Sequence, residues 1–460
     1  MTGNNHTIRV GLEIHCQLNY LQTKLFCSCS SDYQNQPPNT NTCPVCLGYP
    51  GSLPNINGDA VKTGLKLAKA LSMKPIEKLE FSRKHYEYPD LPKGFQITQS
   101  ESLLGTDGLL PRVSGKLPIK QIQLEEDPAK IIYTKESYII DFNRCGTPLI
   151  ELVTDPIFSN LEEIKDFLVN YRRLLKTLGI SDPYKESAFR VDLNISVDNH
   201  PRVEVKNIGS DAEILKAYSY EVLRQINEVD ETVFEMETRH WDAENGVTIK
   251  SRSKESSADY RYMPEKDIPT IMIPNGYWEN VQLPELPWEL EKRLHKEYNL
   301  TNDQISILLD DQNLISIYEQ YFEFFNDSIS LMNKFFWNEF LQWYKVTQGD
   351  ERKRLEKLDK NQLKKNLLLL ANDKISNQQF KKALKKYILK NEFFSLKIEE
   401  NKTNYESIEE VVNWVKRKYP DIWRESHIHP NKLNYLVGQA VKQSRGKFHP
   451  KEILMVLKNQ

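Results

Sequence analysis

The chain has 460 residues, 39% of them hydrophobic and 27% charged, with a net charge of -2. That length holds about two to four domains, and near neutrality means a nucleic-acid partner must be met by locally segregated charge. No stretch approaches the roughly 18 apolar residues of a membrane span, no signal peptide is visible at the N-terminus, and six cysteines are too few for a disulfide scaffold, so a cytoplasmic protein is expected.

Val10 to Leu18 alternates as a strand, with Val10, Leu12, Ile14, Cys16 and Leu18 on one face and Glu13 and His15 on the other. An acid and an imidazole at i and i+2 can share a metal ion or a proton; the same pair is also an ordinary surface hydrogen bond. Cys27 and Cys29 are followed, after thirteen residues, by Cys43 and Cys46. Four thiolates in two close pairs suit a tetrahedral Zn2+, structural because every protein position is filled. Such a metal ties down a loop rich in proline and asparagine that cannot fold by burial. Cys16 and Cys145 read as small buried apolar residues.

Asp59 to Leu71 is predicted to be helical. Arg83 to Gln99, with two prolines and a glycine between aromatics, is predicted as an ordered loop. Its Arg83, Lys84, His85 and Lys93 form a cationic side that can meet phosphate or simply face solvent. Gln121 to Lys130 then carries three adjacent acids, Glu125, Glu126 and Asp127, on a strand stopped by Pro128. Gln121, Gln123 and Glu125 share one face; Ile122, Leu124 and Glu126 share the other. Adjacent carboxylates need a counter-charge, and Mg2+ with phosphate is what such oxygens commonly hold. The bland alternative is a solvated acidic turn.

A turn at Thr134 to Glu136 precedes a strand expected over Tyr138 to Gly146. Glu151 lies amid apolar neighbours, where an acid has to be paired, metal-bound or protonated. Ser159 and Glu162 predict a capping box for a helix whose apolar face runs from Ile164 to Leu178 and which Gly179 ends. Arg190 to Ser196 and Arg202 to Asn207 read as neighbouring antiparallel strands. Their polar faces carry Arg190, Asp192, Asn194 and Ser196, and Arg202, Glu204 and Lys206. Asparagine is a poor strand former, so its place there hints at a site. Ser210 and Glu213 cap a helix to about Val229, and strand signals return at Thr238 to Trp241 and Val247 to Lys250. Asp259, Arg261, Glu265 and Asp267 can close a charged cleft.

Leu283-Pro-Glu-Leu-Pro287 marks a boundary, beyond which the pattern is helical, with capping boxes at Thr301 to Gln304 and Ser407 to Glu410. Aromatics from Phe335 to Tyr344 read as bundle core. Lys364, Lys365, Lys381, Lys382, Lys385, Lys386 and Lys390 crowd one section with little acid near them in sequence. From His427 onward six basic residues, among them Lys432, Lys442, Arg445 and Lys447, face a single acid, Glu452. That is the footprint of a phosphate-backbone partner, or else a soluble lysine-rich surface. No phosphate-binding glycine loop, dinucleotide fingerprint or catalytic triad is present. What remains, an acidic metal site with basic groups, suits phosphoryl transfer by charge neutralisation and positioning.

Several motifs together carry a family resemblance. They are Gly11-Leu-Glu-Ile-His-Cys-Gln-Leu18, Cys43-Pro-Val-Cys-Leu-Gly-Tyr-Pro-Gly-Ser-Leu-Pro54, Tyr88-Pro-Asp-Leu-Pro-Lys-Gly-Phe-Gln-Ile-Thr-Gln99, Leu124-Glu-Glu-Asp127, Arg144-Cys-Gly-Thr-Pro-Leu-Ile-Glu151, Arg190-Val-Asp-Leu-Asn-Ile-Ser196 and Asp259-Tyr-Arg-Tyr-Met-Pro264. In that order they resemble the B subunit of the aspartyl/glutamyl-tRNA amidotransferases, and Leu436-Val-Gly-Gln439 extends the likeness into the tail. The resemblance implies an α+β fold: a large antiparallel-sheet cradle domain similar to glutamine synthetase (1–286, zinc loop 27–46), an all-α helical domain (287–397) and an α-helical tail domain (398–460). It implies a ligase that uses ATP and Mg2+ to phosphorylate the side-chain carboxylate of Glu on tRNA(Gln) or Asp on tRNA(Asn). Ammonia from the glutaminase, the A subunit, then forms the amide, and a small C subunit makes up a heterotrimer of bacterial type. Carried over residue by residue, Glu13, His15 and Glu126 resemble the Mg2+ ligands, with Glu125 and Glu151 beside them. Arg83, Lys84, Lys93, Arg190, Lys206 and Arg261 are the candidate nucleotide-binding cations, and Lys432, Lys442, Arg445 and Lys447 the candidate tRNA contacts.

Two positions depart from the family pattern: Gln123 stands where some members have histidine, and Glu87 follows Tyr86 where an aromatic is usual. Many relatives lack the four cysteines, in keeping with a structural zinc. An archaeal-type paralogue would carry an inserted domain for which Leu283 to Thr301 leaves no room. A tRNA-binding adaptor without chemistry could discard Glu13, His15 and Glu126.

Overall fold

The alternation read at the N-terminus builds a central strand of a large sheet. The computed structural model describes residues 6–112, 115–134, 136–198, 200–227, 236–251, 260–392, 394, 396, 405–426, 429–444 and 447–459. The strands begin with β1 (Ile8–Gln17), β2 (Lys78–Leu79), β3 (Ser82–His85), β4 (Phe95–Thr98), β5 (Gly105–Arg112) and β6 (Gly115–Glu126). Next come β7 (Lys130–Tyr133), β8 (Tyr138–Asp141), β9 (Pro148–Val153), β10 (Phe189–Val197) and β11 (Val203–Ile208). The last four are β12 (Glu237–Asp242), β13 (Val247–Lys250), β14 (Met263–Pro264) and β15 (Ile271–Met272).

Eight of these form one sheet in the order β13-β12-β11-β10-β1-β9-β6-β5. Its pairs are antiparallel except β11 with β12, which run parallel. The sheet is therefore mixed, where an antiparallel one was expected. The reason is the helix Asp211–Asn227 after β11, because a helical crossover returns the chain to the sheet in the same direction. Fold class is α/β-mixed in this sense, with many helices beside the sheet.

One face of the sheet is apolar. Leu12 and Ile14, Leu193 and Ile195, Ile122 and Leu124, and Ile150 and Leu152 join a single core with Leu65, Phe167, Leu174 and Ile214 from three helices. Those helices are Gly58–Ala70, Leu161–Thr177 and Asp211–Asn227. Each fully buried aliphatic side chain is worth roughly 1.5–3 kcal/mol. A one-residue slip of β1 would exchange Leu12 and Ile14 for Glu13 and His15 in that core, so the register is locked. The other face is thereby left to polar groups.

Local chemistry moves some predicted ends. The N-cap of Leu161–Thr177 lies one residue later than predicted: Asn160 accepts from the Glu163 N–H at 3.0 Å, while the Glu163 carboxylate accepts from the Ser159 N–H at 2.8 Å, one residue before the cap, so the predicted capping box is not formed. Gly179 follows in the left-handed region, with φ 65°. Ser210 accepts from the Glu213 N–H at 3.3 Å as predicted, while Val229 lies outside the described residues. The strand expected from Tyr138 to Gly146 stops at Asp141, because that side chain accepts from the Asn143 N–H and starts a 3-10 turn, Phe142–Arg144.

The chain divides into two compact units, 1–310 and 311–460. The first extends past the proline-rich stretch because Arg173 holds Asp310 Oδ1 at 2.8 Å and Ser306 Oγ at 2.7 Å. The second is helical. Its aromatic core includes Tyr318, Tyr321, Phe335, Phe336, Phe340 and Phe380, all nearly fully buried, with a π-helical turn at Phe336–Phe340. Its lysines are less isolated than their sequence neighbours suggested, since Lys364 pairs with Asp327 at 2.6 Å and Lys381 with Glu339 at 2.8 Å. Residues of helices Ile408–Lys418, Pro430–Gln443 and Pro450–Lys458 form a separate small core around Val411, Val415, Leu436 and Ile453. Among the described residues no helix is long and apolar enough to cross a membrane.

Candidate metal and phosphate site

The polar face of the sheet is a lattice of cross-strand neighbours. His15 stands opposite Glu151 on β9 and opposite Arg190 on β10; Glu13 stands opposite Asp192. Gln123 on β6 is opposite Glu151, and Asn194 on β10 is opposite Glu204. Side chains in register on one face lie within about 4.5–5.5 Å at Cβ, so five strands deliver acids, imidazole and amides to one patch.

At its centre is His15. Its Nε2 lies 3.4 Å from Glu125 Oε1, 3.7 Å from Glu13 Oε1 and 3.7 Å from Glu151 Oε2. Ligand atoms of Glu13, His15 and Glu151 all fall within 4.8 Å of one another, a spacing that can hold a metal ion. Glu13 also forms a second such group with Asp192 and Glu204. The carboxylates are held from behind. Gln123 donates to Glu151 at 2.9 Å, Gln121 donates to Gln123 at 2.9 Å, and Thr98 donates to Glu125 at 3.1 Å.

Burial and mutual repulsion set the protonation of this patch. Burial, with Glu13 and Glu125 close by, raises the Glu151 carboxyl well above its usual range. Burial raises Glu13 and Glu125 too, and burial with the Glu13 charge takes Asp192 up to about 7. Burial and the nearby Arg190 and Lys84 push His15 down to about 3, so its imidazole is neutral and available as a ligand. Lys84 and Lys206 stay charged: burial opposes this, but Glu125 and Glu151 for Lys84, and Glu204 and Asp192 for Lys206, outweigh it.

The patch opens into a cleft of about 310 Å3. Glu13, Glu151 and Glu204 lie on its wall with Lys84, Lys206 and Arg202, and its lining also includes Gln99, Gln123, Asn194, Tyr260 and Tyr262. Lys84 also sits over the Tyr260 ring at 4.4 Å. Anionic ligands held through a cation, with ammonium and guanidinium groups around them, fit such walls.

The structure brings together Glu13, His15, Glu125, Glu151, Lys84 and Lys206, but it sends other predicted residues elsewhere. Glu126 points to the opposite side of β6 from Glu125, where its carboxylate binds Lys93 Nζ and accepts from the Ile97 N–H at 2.9 Å. It therefore does not join Glu13 and His15, contrary to the ligand set expected from the resemblance. Arg83, alternating with Lys84 on β3, is clamped by Glu265 at 2.8 Å and Asp267 at 3.0 Å. Arg83 and Lys93 instead line a smaller cavity of about 190 Å3. Arg190 is engaged by the fully buried Asp127 at 2.9 Å, which also accepts from Gln17 at 2.7 Å. Arg261 is exposed, with φ 42°, and its carbonyl accepts from His85 Nδ1 at 3.1 Å. Asp259 and Arg445 lie outside the described residues. Lys432 pairs with Glu425, Lys447 donates to the Tyr405 carbonyl at 2.6 Å, and Lys442 is exposed.

Asp192, Glu204, Arg202 and Gln99 were not among the expected site residues. The strand alternation had placed the first three on polar faces; only the pairing of β10 with β1 and β11 brings those faces to His15.

The second cluster is the cysteine group. The sulfurs of Cys27, Cys29, Cys43 and Cys46 all lie within 4.8 Å of one another, so the four free thiols can hold a metal ion. The Cys43 N–H donates to Cys46 Sγ at 3.2 Å, a bond that holds the two cysteines of the second pair in one turn. Cys16 and Cys145 are buried, as expected.

Residues 8–279 match the family described as the GatB/GatE catalytic domain, and residues 318–460 match the one described as the GatB domain. A Saccharolobus solfataricus protein, the B subunit of an aspartyl/glutamyl-tRNA(Asn/Gln) amidotransferase, is 35% identical over 98% of this chain and 99% of its own length. The chain belongs to that B-subunit family. A further member, the B subunit from Haloquadratum walsbyi, is 34% identical over 99% of this chain and 97% of its own length. The Methanosarcina barkeri B subunit is 42% identical over 69% of this chain and 66% of its own. The catalytic-domain match spans the whole acid and imidazole patch, from Glu13 to Lys206.

Proposed function

We propose that this chain is the carboxylate-activating component of an amidotransferase that acts on Glu-tRNA(Gln) or Asp-tRNA(Asn). The observation that carries the reading is the meeting of Glu13, His15, Glu125 and Glu151 beside a cleft that Glu13 and Glu151 line together with Lys84, Lys206 and Arg202, in a chain of the B-subunit family. Those four groups would hold Mg2+, His15 as a neutral nitrogen ligand and the acids as oxygen ligands. When bound, Mg2+ would supply charge neutralisation for the ATP phosphates.

The chain's own residues do the rest. Lys84 and Lys206 stabilise charge on the transferring phosphoryl group. Gln121 and Gln123 orient Glu151, and Thr98 orients Glu125, so the ligand set is preorganised. Phosphorylation converts a side-chain carboxylate oxygen into a leaving phosphate, and ammonia from the glutaminase partner, the A subunit, then displaces it. A small C subunit would join the complex, as the family resemblance implies. The four cysteines would carry a structural Zn2+, since a closed set of four thiols leaves no open position. The exposed lysines of the helical unit, Lys382, Lys385 and Lys442 among them, would meet the tRNA backbone.

The reading is tested by converting Glu-tRNA(Gln) to Gln-tRNA(Gln) with the reconstituted complex, ATP and ammonia. Loss of product with His15→Ala in an intact complex is expected; full activity of that variant would remove the chemistry from this cleft.

A further inference from the structure

Lys24 has no exposed surface and lies beside the four thiols. A buried ammonium is costly unless acceptors or an opposite charge receive it. Among the described residues no carboxylate pairs with Lys24; its Nζ donates to the Asn41 carbonyl at 2.8 Å and to Cys46 Sγ at 3.8 Å. The backbone fixes it there. Its N–H donates to the Cys29 carbonyl at 2.9 Å, and the next residue, Leu25, donates to the Gly146 carbonyl at 2.9 Å.

Lys24 thus touches both halves of the cysteine cluster, the first pair through its backbone and the second through its side chain. Gly146, with φ 83°, packs against the same junction: a Cβ there would lie 3.5 Å from both Cys46 Cβ and Lys24 Cδ. Gly146, Cys46 and the lysine stem are therefore immediate neighbours at this junction.

We propose that Lys24 is the counter-cation of the four-thiolate metal centre. Four thiolates on a divalent ion leave it doubly negative in a half-buried setting, and an ammonium aimed at Cys46 Sγ offsets part of that charge. It also orients Cys46 as a ligand, as groups behind a ligand shell generally do. This rests on the zinc reading given above. Lys24 is a positioning residue, touching the metal's ligand and not the reacting atoms.

The test uses the full chain under reducing conditions. Zinc content is measured for the wild type, Lys24→Met, Lys24→Gln and Lys24→Arg, and release into excess EDTA is followed with a chromophoric zinc indicator. Lys24→Gln keeps a donor for the Asn41 carbonyl while removing the charge, so it separates a charge effect from a packing effect. Both neutral variants should release zinc roughly 10- to 100-fold faster than wild type, with Lys24→Arg between them and wild type. The sulfur-to-cobalt charge-transfer band of the Co2+-loaded protein should shift in the same variants. Zinc release at the wild-type rate from loaded Lys24→Met and Lys24→Gln would overturn the proposal alone, as would collapse of both in excess zinc. A wild type that takes up no zinc would overturn the metal reading and this proposal with it.

Discussion

His15 and Glu151 stand in direct register on neighbouring strands, with Nε2 and Oε2 3.7 Å apart. The gap is too long for a hydrogen bond and suits two ligands of one ion. Glu151→Gln should keep the hydrogen-bonded amide chain from Gln121 and Gln123 while removing a charged ligand. We expect Mg2+ affinity, measured by calorimetry, to fall roughly 10- to 100-fold with no loss of folded protein. Unchanged affinity would place the ion elsewhere.

Glu126 gives the contrasting variant. Its carboxylate faces Lys93 and the Ile97 N–H on the far side of β6. Glu126→Gln should lower stability by roughly 1–3 kcal/mol in denaturant unfolding, because Lys93 loses its buried counter-charge. Mg2+ affinity in that variant should stay close to wild type. A loss of Mg2+ binding as large as that of Glu151→Gln would restore Glu126 as a ligand.

This contrast also shows what the sequence made legible. The period of two in Gln121 to Glu126 already set Glu125 with the amides and Glu126 with Ile122 and Leu124. The family resemblance gave the metal to Glu126, on the face opposite Glu125, whereas in the structure it is Glu125 that lies beside His15 and Glu126 that faces Lys93. The faces of β1, β10 and β11 and the four-cysteine cluster were readable because each depends on local spacing alone. The parallel pairing of β11 with β12 and the partners of Lys364 and Lys381 were not, since they join segments distant in sequence. Arg83 and Lys84 read as one cationic loop; once they lie in β3, alternation splits them between two cavities.

Protonation predicts a pH dependence. Glu13, Glu125 and Glu151 have carboxyls raised above 4.5, so the metal-free folded protein holds protons there that the unfolded chain has released. Stability from these groups is therefore lost as pH rises from about 4.5 through the raised values. Mg2+ must displace those protons, so its binding should tighten with rising pH and release protons. Calorimetry in two buffers of different ionisation enthalpy reads this directly; identical heats would contradict it. His15, down at about 3, works in the other direction, because the unfolded chain gains a proton below 6.5 that the folded one refuses.

Asp127 should show the opposite sign to the raised acids. Burial opposes its charge, but Arg144 and Arg190 outweigh it and hold its carboxyl below 3.8. Its contribution is present above that value and lost as pH falls through the lowered one. Asp127→Asn, which leaves Arg190 short of a buried partner, should destabilise the first unit by about 3–5 kcal/mol in denaturant unfolding. A change below 1 kcal/mol, within the usual range of exposed pairs near ~0–1 kcal/mol, would contradict this.

Lys442 is exposed in the tail, where basic residues outnumber acids. Lys442→Ala should weaken binding of Glu-tRNA(Gln) and lower the slope of log affinity against log salt by about one. An unchanged salt slope would leave that lysine as a solvated surface residue.

The central claim is that phosphoryl transfer to the aminoacyl carboxylate occurs at His15 and the acids around it. Its most direct test is ATP γ-phosphate release by the reconstituted complex with Glu-tRNA(Gln) present and ammonia absent, comparing wild type, His15→Ala and Glu126→Gln. The account predicts release dependent on Glu-tRNA(Gln) in wild type and in folded Glu126→Gln, and none above background in His15→Ala. Wild-type release from His15→Ala would contradict it.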